Sequence, residues 1–330
     1  MSIYTPKVTV ITPTWNRGPY LDRVWLSLCG QTYDNFEWII CDDGSTDNTA
    51  ERVQFFLENS DFPITVVVAS LHVGKVRLDN EAVALADSEY TIWCDSDDYL
   101  LPDAIFDLVE IVRSIEDNIR QSFIGVTALC ATENGAIVST ALPSDVSYDT
   151  TWNSLVTNEN VQGDMIYMCQ TSALKSNPFP EVDFVMPESI VWNVLGEAPA
   201  RVKPVVVKIN EYNTPNAISF SGKMEYNRGR AYSLATTFRY LKKYDKSILQ
   251  TFWKIILYCR YCIHGEISLR NKINLWKGNT PFLTLALATI IAFIFALKDK
   301  MQRKVVYTHR SFQRANKLVK FTIKSNSKNL

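Results

Sequence analysis

Four short apolar runs, at residues 8–13, 37–41, 64–69 and 90–94, alternate with stretches whose apolar side chains recur every three or four positions. The runs are rich in Val, Ile and Thr, as strands are, and the intervening stretches read as amphipathic helices. Leu21, Val24, Trp25 and Leu28 share one face of a helix over residues 20–29, and Gly30 follows as its stop. Val53, Phe56 and Leu57 mark a second helix, residues 76–86 a third, and Ile105, Leu108, Val109, Val112 and Ile115 form one stripe of a fourth. Strands that alternate with helices make an α/β chain with a mostly parallel central sheet flanked by helices.

Ligands of such sheets bind beyond the carboxyl ends of the strands. The unusual polar residues of this chain lie there: Trp15-Asn16-Arg17 after the first run, Asp42-Asp43 after the second, His72 to Lys75 after the third and Asp95 to Asp98 after the fourth. Asp95, Asp97 and Asp98 place three like charges within four positions, which is costly unless solvent or a cation neutralises them. Either Asp97 or Asp98 caps the helix that Pro102 and Asp103 introduce, or Asp95 and Asp97 present oxygens to a hard divalent ion that also holds a diphosphate. The coincidence of these acids with Trp15, Arg17, Lys75 and Arg77 favours a nucleotide-diphosphate site.

The formal net charge of −1 conceals a division. Residues 1–222 hold 12 Lys or Arg against 31 Asp or Glu, whereas residues 223–330 hold 22 against 4. A basic segment of this kind suits an anionic membrane surface, and nucleic acid is the less expected partner of a chain so acidic elsewhere. Three regions are expected: 1–118, 119–222 with short strand-like pieces at 123–131 and 136–139, and the basic helical region 223–330. Residues 248–263 mix aromatic and aliphatic residues with Lys254 and Arg260, as a helix lying in a headgroup layer does. Residues 281–297 are 17 positions without a charge, at the lower limit for a bilayer span. Ten Lys or Arg follow in residues 298–330, so a single span would oppose the positive-inside tendency. A re-entrant or in-plane anchor is preferred over a span or a core helix, with the tail on anionic lipid at the cytoplasmic face. The seven cysteines are an odd number, and Cys41 and Cys94 lie in apolar runs, as buried thiols of a reducing compartment do. Cys259 and Cys262 lack the further ligands of a closed zinc site. No basic stretch followed by an apolar core opens the chain, so no secretion signal is expected.

The ordered set Val10-Ile11-Thr12-Pro13-Thr14-Trp15-Asn16-Arg17, Gln31-Thr32-Tyr33, Phe36 to Asp47, Gly74-Lys75 with Asn80, and Asp95-Ser96-Asp97-Asp98-Tyr99 resembles glycosyltransferase family 2 over about the first 115 residues. The resemblance implies a GT-A fold, a nucleotide-diphosphate sugar donor, a divalent ion (Mn²⁺ or Mg²⁺) and inversion at the anomeric carbon. It implies that Pro13 and Trp15 line the base pocket, that Asp43 bonds the base, that Asp95 faces ribose and sugar, and that Asp97 contacts the metal. Arg17, Lys75 and Arg77 fall to the donor's diphosphate or sugar, while Asp98 is as readily a local cap as a site residue. Trp15 stands where tyrosine is commoner, and Glu188-Ser189 where many relatives carry Glu-Asp. Glu188 is therefore the expected base, with Asp183 as the fallback. A helix over residues 189–195 would hold Glu188 at its positive end, so a plain first-turn acid is the alternative. The implied activity extends a lipid-linked or cell-surface glycan. The rivals are a sugar-phosphate nucleotidyltransferase, which usually has a glycine-rich loop where this chain has Trp15-Asn16-Arg17-Gly18, and a non-catalytic nucleotide-sugar-binding membrane protein.

Overall fold

The structure is a computed structural model and describes residues 3–182, 184–211, 227–245, 247–276, 280–301 and 321–325. The expected alternation runs through β1 (Val8–Thr14), α1 (Gly18–Cys29), β2 (Phe36–Asp42), α2 (Thr49–Asn59), β3 (Ile64–Ala69), α3 (Lys75–Leu85) and β4 (Tyr90–Trp93). There follow β5 (Tyr99–Leu100), α4 (Ala104–Arg113), α5 (Asp117–Arg120), β6 (Gly125–Ala131), β7 (Tyr148–Thr151), α6 (Trp152–Thr157), β8 (Met165–Gln170), α7 (Thr171–Ser176), α8 (Ser189–Leu195) and β9 (Pro199–Ile209). The last part holds α9 (Asn227–Leu241), α10 (Ile248–His264), α11 (Leu269–Trp276), α12 (Phe282–Met301) and β10 (Phe321–Ser325).

Two compact units result: Met1–Glu181 with Ala198–Pro215 and Ala315–Leu330, and Val182–Glu197 with Asn216–Arg314. Residues on both sides of position 118 thus share the first unit, and residues 182–197 belong with the C-terminal helices.

The first unit is built on one sheet in the order β10-β3-β2-β1-β4-β8-β6-β9-β5, with β7 on β9. It is parallel through β3-β2-β1-β4 and mixed beyond, because β8 runs antiparallel to both β4 and β6. The chain steps outward from β1 to β2 and β3, then returns to the other side of β1 as β4. That reversal opens a crevice at the carboxyl ends of β1 and β4. Alternation along the strands sorts their side chains. Val8 and Val10 of β1, Trp38 and Ile40 of β2, and Tyr90 and Ile92 of β4 meet Leu21, Val24 and Leu28 of α1, Phe56 of α2 and the α4 stripe in one core. Trp38 buries its ring completely and donates its indole N–H to the Thr12 hydroxyl at 2.8 Å. Helix α3 packs against β1, β2 and β3.

Three sequence expectations change. Residues 136–139 form no strand, only an isolated bridge between Ile137 and Ala131. The eleven-residue β9 was not anticipated. It runs parallel to β6 with register shifts between Thr127 and Leu129, opposite its Lys203-Pro204-Val205 segment, and such an irregularity is where a strand tolerates proline. Third, part of the basic tail joins the sheet, since β10 pairs antiparallel with β3 from Phe321 against Ala69 to Ser325 against Thr65.

The second unit is helical. Ala231, Ala235 and Phe238 of α9, Ile255, Ile256, Tyr258, Cys259 and Cys262 of α10, Trp276 of α11, and Leu285, Ala288 and Ala292 of α12 make its core. Helix α10, expected in a headgroup layer, therefore turns an apolar face inward and leaves Ile248, Leu249 and Trp253 exposed. Along α12 the buried positions Leu285, Ala288, Ala292 and Ala296 alternate with an exposed stripe of Leu283, Leu287, Ile290, Ile294 and Leu297. The helix is long and apolar enough to cross a membrane, and 28% of its apolar window is buried. Asp299 near its end accepts from Nε and Nη2 of Arg260, at 2.7 and 2.6 Å, and lies 2.9 Å from His264 Nε2, tying α12 to α10.

Candidate functional site

The strand ends of the first unit are cross-linked by their own polar residues. Asn16 takes a left-handed conformation (φ 52°), which asparagine tolerates. Its side-chain oxygen Oδ1 accepts the Thr46 N–H at 2.8 Å, and its backbone N–H donates to the Ser45 hydroxyl at 2.8 Å. Asp47 accepts the Gly18 N–H at the start of α1. Gly44 also has positive φ (+70°), and a Cβ there would lie 2.9 Å from the Leu71 backbone, so only glycine fits.

Asp43 is buried and accepts the backbone N–H groups of Val73 at 2.6 Å and Gly74 at 2.8 Å, while His72 Nδ1 lies 2.9 Å from it. The acid expected at the base thus shapes the β3–α3 loop. That loop sets the His72 ring on Trp15, with centroids 4.1 Å apart and planes 18° from parallel. Trp15 keeps 36% of its surface exposed and offers an aromatic platform. Pro13, half-buried, precedes it on β1.

Each of the three clustered acids has a cation of its own. Asp95 pairs with Lys75 at the start of α3 at 3.0 Å; burial would raise its carboxyl, but Lys75, Lys208 and Arg17 outweigh that and hold it below the usual range. Asp97 pairs with Arg17, which is buried just before α1, at 3.1 Å. Asp98 does not cap α4. It is buried, pairs with Lys208 of β9 at 2.7 Å and accepts the Glu211 N–H at 3.1 Å. Burial pushes its carboxyl up to about 6 against the pull of Lys208. Arg23 donates to the Asp97 carbonyl at 3.3 Å and lies 3.6 Å from Glu211. The acidic loop is thereby held from the β1–α1 turn, α1, α3 and β9 together.

Arg77, expected at the diphosphate, pairs with Glu81 at 2.9 Å and with Glu181. Glu188 lies in the second unit, half-buried, immediately before α8. Ser189 shares a 2.8 Å hydrogen bond with Ser233 of α9. Asp183 lies outside the described residues. Lys208 and His72 were given no role from sequence. A lysine inside the apolar run Val205-Val206-Val207-Lys208-Ile209 is nonetheless a readable sign of a buried charge that needs a partner.

Among the described residues no group of three His, Cys, Asp or Glu converges as a metal cage. A hard divalent ion bound to a nucleotide needs no such cage, because one or two carboxylates suffice when phosphate oxygens and water complete the shell. Asp97, already facing a cation in Arg17, fits that part.

The family model described as Glycosyl transferase family 2 matches residues 9–152. Over that segment the chain is similar to glycosyltransferase family 2. A chondroitin synthase of Pasteurella multocida is 37% identical over 100 residues, 30% of this chain and 10% of that one. A putative teichuronic acid biosynthesis glycosyltransferase, TuaG, of Bacillus subtilis is 30% identical over 149 residues, 45% of this chain and 58% of that one. The chain thus spans from a tenth to somewhat over half the length of these two relatives. S. aureus TarS 1–349, solved in complex with UDP-GlcNAc, superposes with a TM-score of 0.57 at 16% identity, over 96% of this chain and 98% of that one. The likeness extends the GT-A fold beyond the family 2 segment.

Proposed function

We propose that the chain moves a sugar from a nucleotide-diphosphate donor to an acceptor hydroxyl by a single inverting displacement. The observation that carries this reading is the gathering of Trp15, Arg17, Lys75, Asp95 and Asp97 at the carboxyl ends of β1, β3 and β4. Trp15 offers the base a stacking face, with His72 turned aside or kept as a second wall. Asp95 faces ribose and sugar. Arg17 and Lys75, which neutralise Asp97 and Asp95, turn toward phosphate oxygens as the donor enters. Asp97 would hold a divalent ion, Mn²⁺ or Mg²⁺, whose charge offsets that building on the departing nucleotide diphosphate. Glu188 accepts the proton of the attacking hydroxyl, a task that needs hydrogen-bond reach of that proton.

The acceptor is a glycan, on a lipid or at the cell surface. The similarity to a chondroitin synthase and to a putative teichuronic acid biosynthesis glycosyltransferase supports this, as does the exposed apolar stripe of α12, which suits a helix lying in a membrane surface; the side we propose is the cytoplasmic one. A panel of nucleotide sugars with Mn²⁺ or Mg²⁺, scored by release of nucleotide diphosphate, tests the reading. At least one donor should be consumed in an acceptor-dependent way. Asp97→Ala should abolish transfer while the protein stays folded, and full activity in that variant would remove the metal role. Glu188→Gln should slow turnover with donor binding kept; wild-type rates would move the base elsewhere.

A further inference from the structure

A cavity of about 400 Å³ opens within the second unit, walled by α8, α9 and α11. Its α9 wall is one helical face, Tyr232, Thr236 and Arg239, at spacings of four and three. The neighbouring face of α9 is spent on α8, since Ser233 bonds Ser189 and Thr237 accepts from Asn193. Helix α11 contributes Asn271 and Asn274, and Ile190 of α8 and Leu275 form an apolar floor. Ile190 lies two positions along the chain from Glu188.

The chemistry of this wall is one-sided. Among the described residues no acid lines the cavity and Arg239 makes no ion pair. The side-chain amides of Asn271 and Asn274 likewise bond to none of the described residues, although Asn271 uses its backbone N–H on Ser268. One planar guanidinium and two amides thus face a concave, partly apolar space with their hydrogen-bonding capacity unspent. An amide both donates and accepts, as a sugar hydroxyl does. A guanidinium takes two oxygens of a carboxylate or phosphate in its fork. An apolar floor suits the C–H face of a pyranose, and a volume of this size holds a small ligand.

We infer that this cavity is an acceptor subsite for a hexose unit carrying an anionic group, carboxylate or phosphate. The inference rests on the glycosyltransferase reading for the word acceptor, and on Arg239, Asn271 and Asn274 for the ligand's chemistry.

Binding to the full-length protein, followed by saturation-transfer NMR, tests it without any donor. The probes are methyl β-glucuronide, glucose 6-phosphate, methyl β-glucoside and inorganic phosphate. The two charged hexoses should bind and the glucoside only weakly, and the tighter of the two tells carboxylate from phosphate. Arg239→Gln, on an exposed side chain, should weaken the charged hexoses by roughly tenfold or more. Asn271→Ala with Asn274→Ala should weaken the hexoses while sparing inorganic phosphate. UDP binding should be unchanged in every variant. Equal binding of glucoside and glucuronide, wild-type affinity in Arg239→Gln, or inorganic phosphate matching both charged hexoses would each overturn the subsite. Nucleotide-diphosphate release by the same preparation reports on the donor chemistry separately, so the two readings fail independently.

Discussion

Asp98 and Lys208 stand 110 positions apart and meet at 2.7 Å inside the first unit. Removing one partner of a buried pair strands the other, so Lys208→Met should cost about 3–5 kcal/mol in urea unfolding. The double variant Asp98→Asn with Lys208→Met should recover most of that loss, whereas an unchanged single-variant midpoint would show that the pair carries no stability. Asp47 behaves differently because it is exposed. Burial raises its carboxyl, but bonds from Thr49 and from the N–H of Gly18 together outweigh that and hold it below the usual range. A depressed folded value means stability that is present above the ordinary carboxylate range and lost as pH falls through the lowered one. Asp47→Asn should therefore lower the thermal midpoint at pH 7, with the gap to wild type closing below about pH 4. A gap independent of pH would remove the charge from the argument. Asp95 and Asp97 were legible in the sequence because they stand at the end of an apolar run. Their cations on α1 and α3 were visible as residues, whereas the pairing of Asp98 with β9 depends on a strand far along the chain.

Elements were legible where one face of a regular structure is buried. Strands β1 to β4 and helices α1 to α4 carry their periodicity plainly, and the stripe from Ile105 to Ile115 is buried throughout. Strand β9 escaped because Lys203, Pro204 and Lys208 interrupt its apolar pattern, and the register shift that absorbs the proline is a property of its partner. Helix α10 was read correctly in composition and incompletely in placement: aromatic and aliphatic residues mixed with basic ones describe a wet face, but Tyr258, Cys259 and Cys262 are core. Helix α12 presents its apolar residues on two faces, one packed and one not. Replacing Leu287, Ile290 and Ile294 of the outer stripe by Ser should leave helical content intact and markedly reduce co-sedimentation with anionic vesicles. Retention equal to wild type would place the membrane contact elsewhere.

At the scale of the molecule, the acidic and basic halves seen in the charge count correspond only partly to compact bodies. The chain passes between the two units four times, at 181/182, 197/198, 215/216 and 314/315. No composition change marks the first two passages, which is why the segment 182–197 was grouped with its sequence neighbours. The last passage returns the chain to the sheet as β10, and this has a consequence for handling the protein. An open strand edge presents unpaired N–H and C=O groups to any other chain. A protein cut after α12 would keep every residue of the acidic cluster yet shift the sheet's edge from β10, which carries Lys324, to β3, whose run Val66-Val67-Val68 carries no charge, so it would recruit copies of itself strand to strand. Solubility of shortened forms, rather than loss of the donor pocket, would then decide which truncations can be studied.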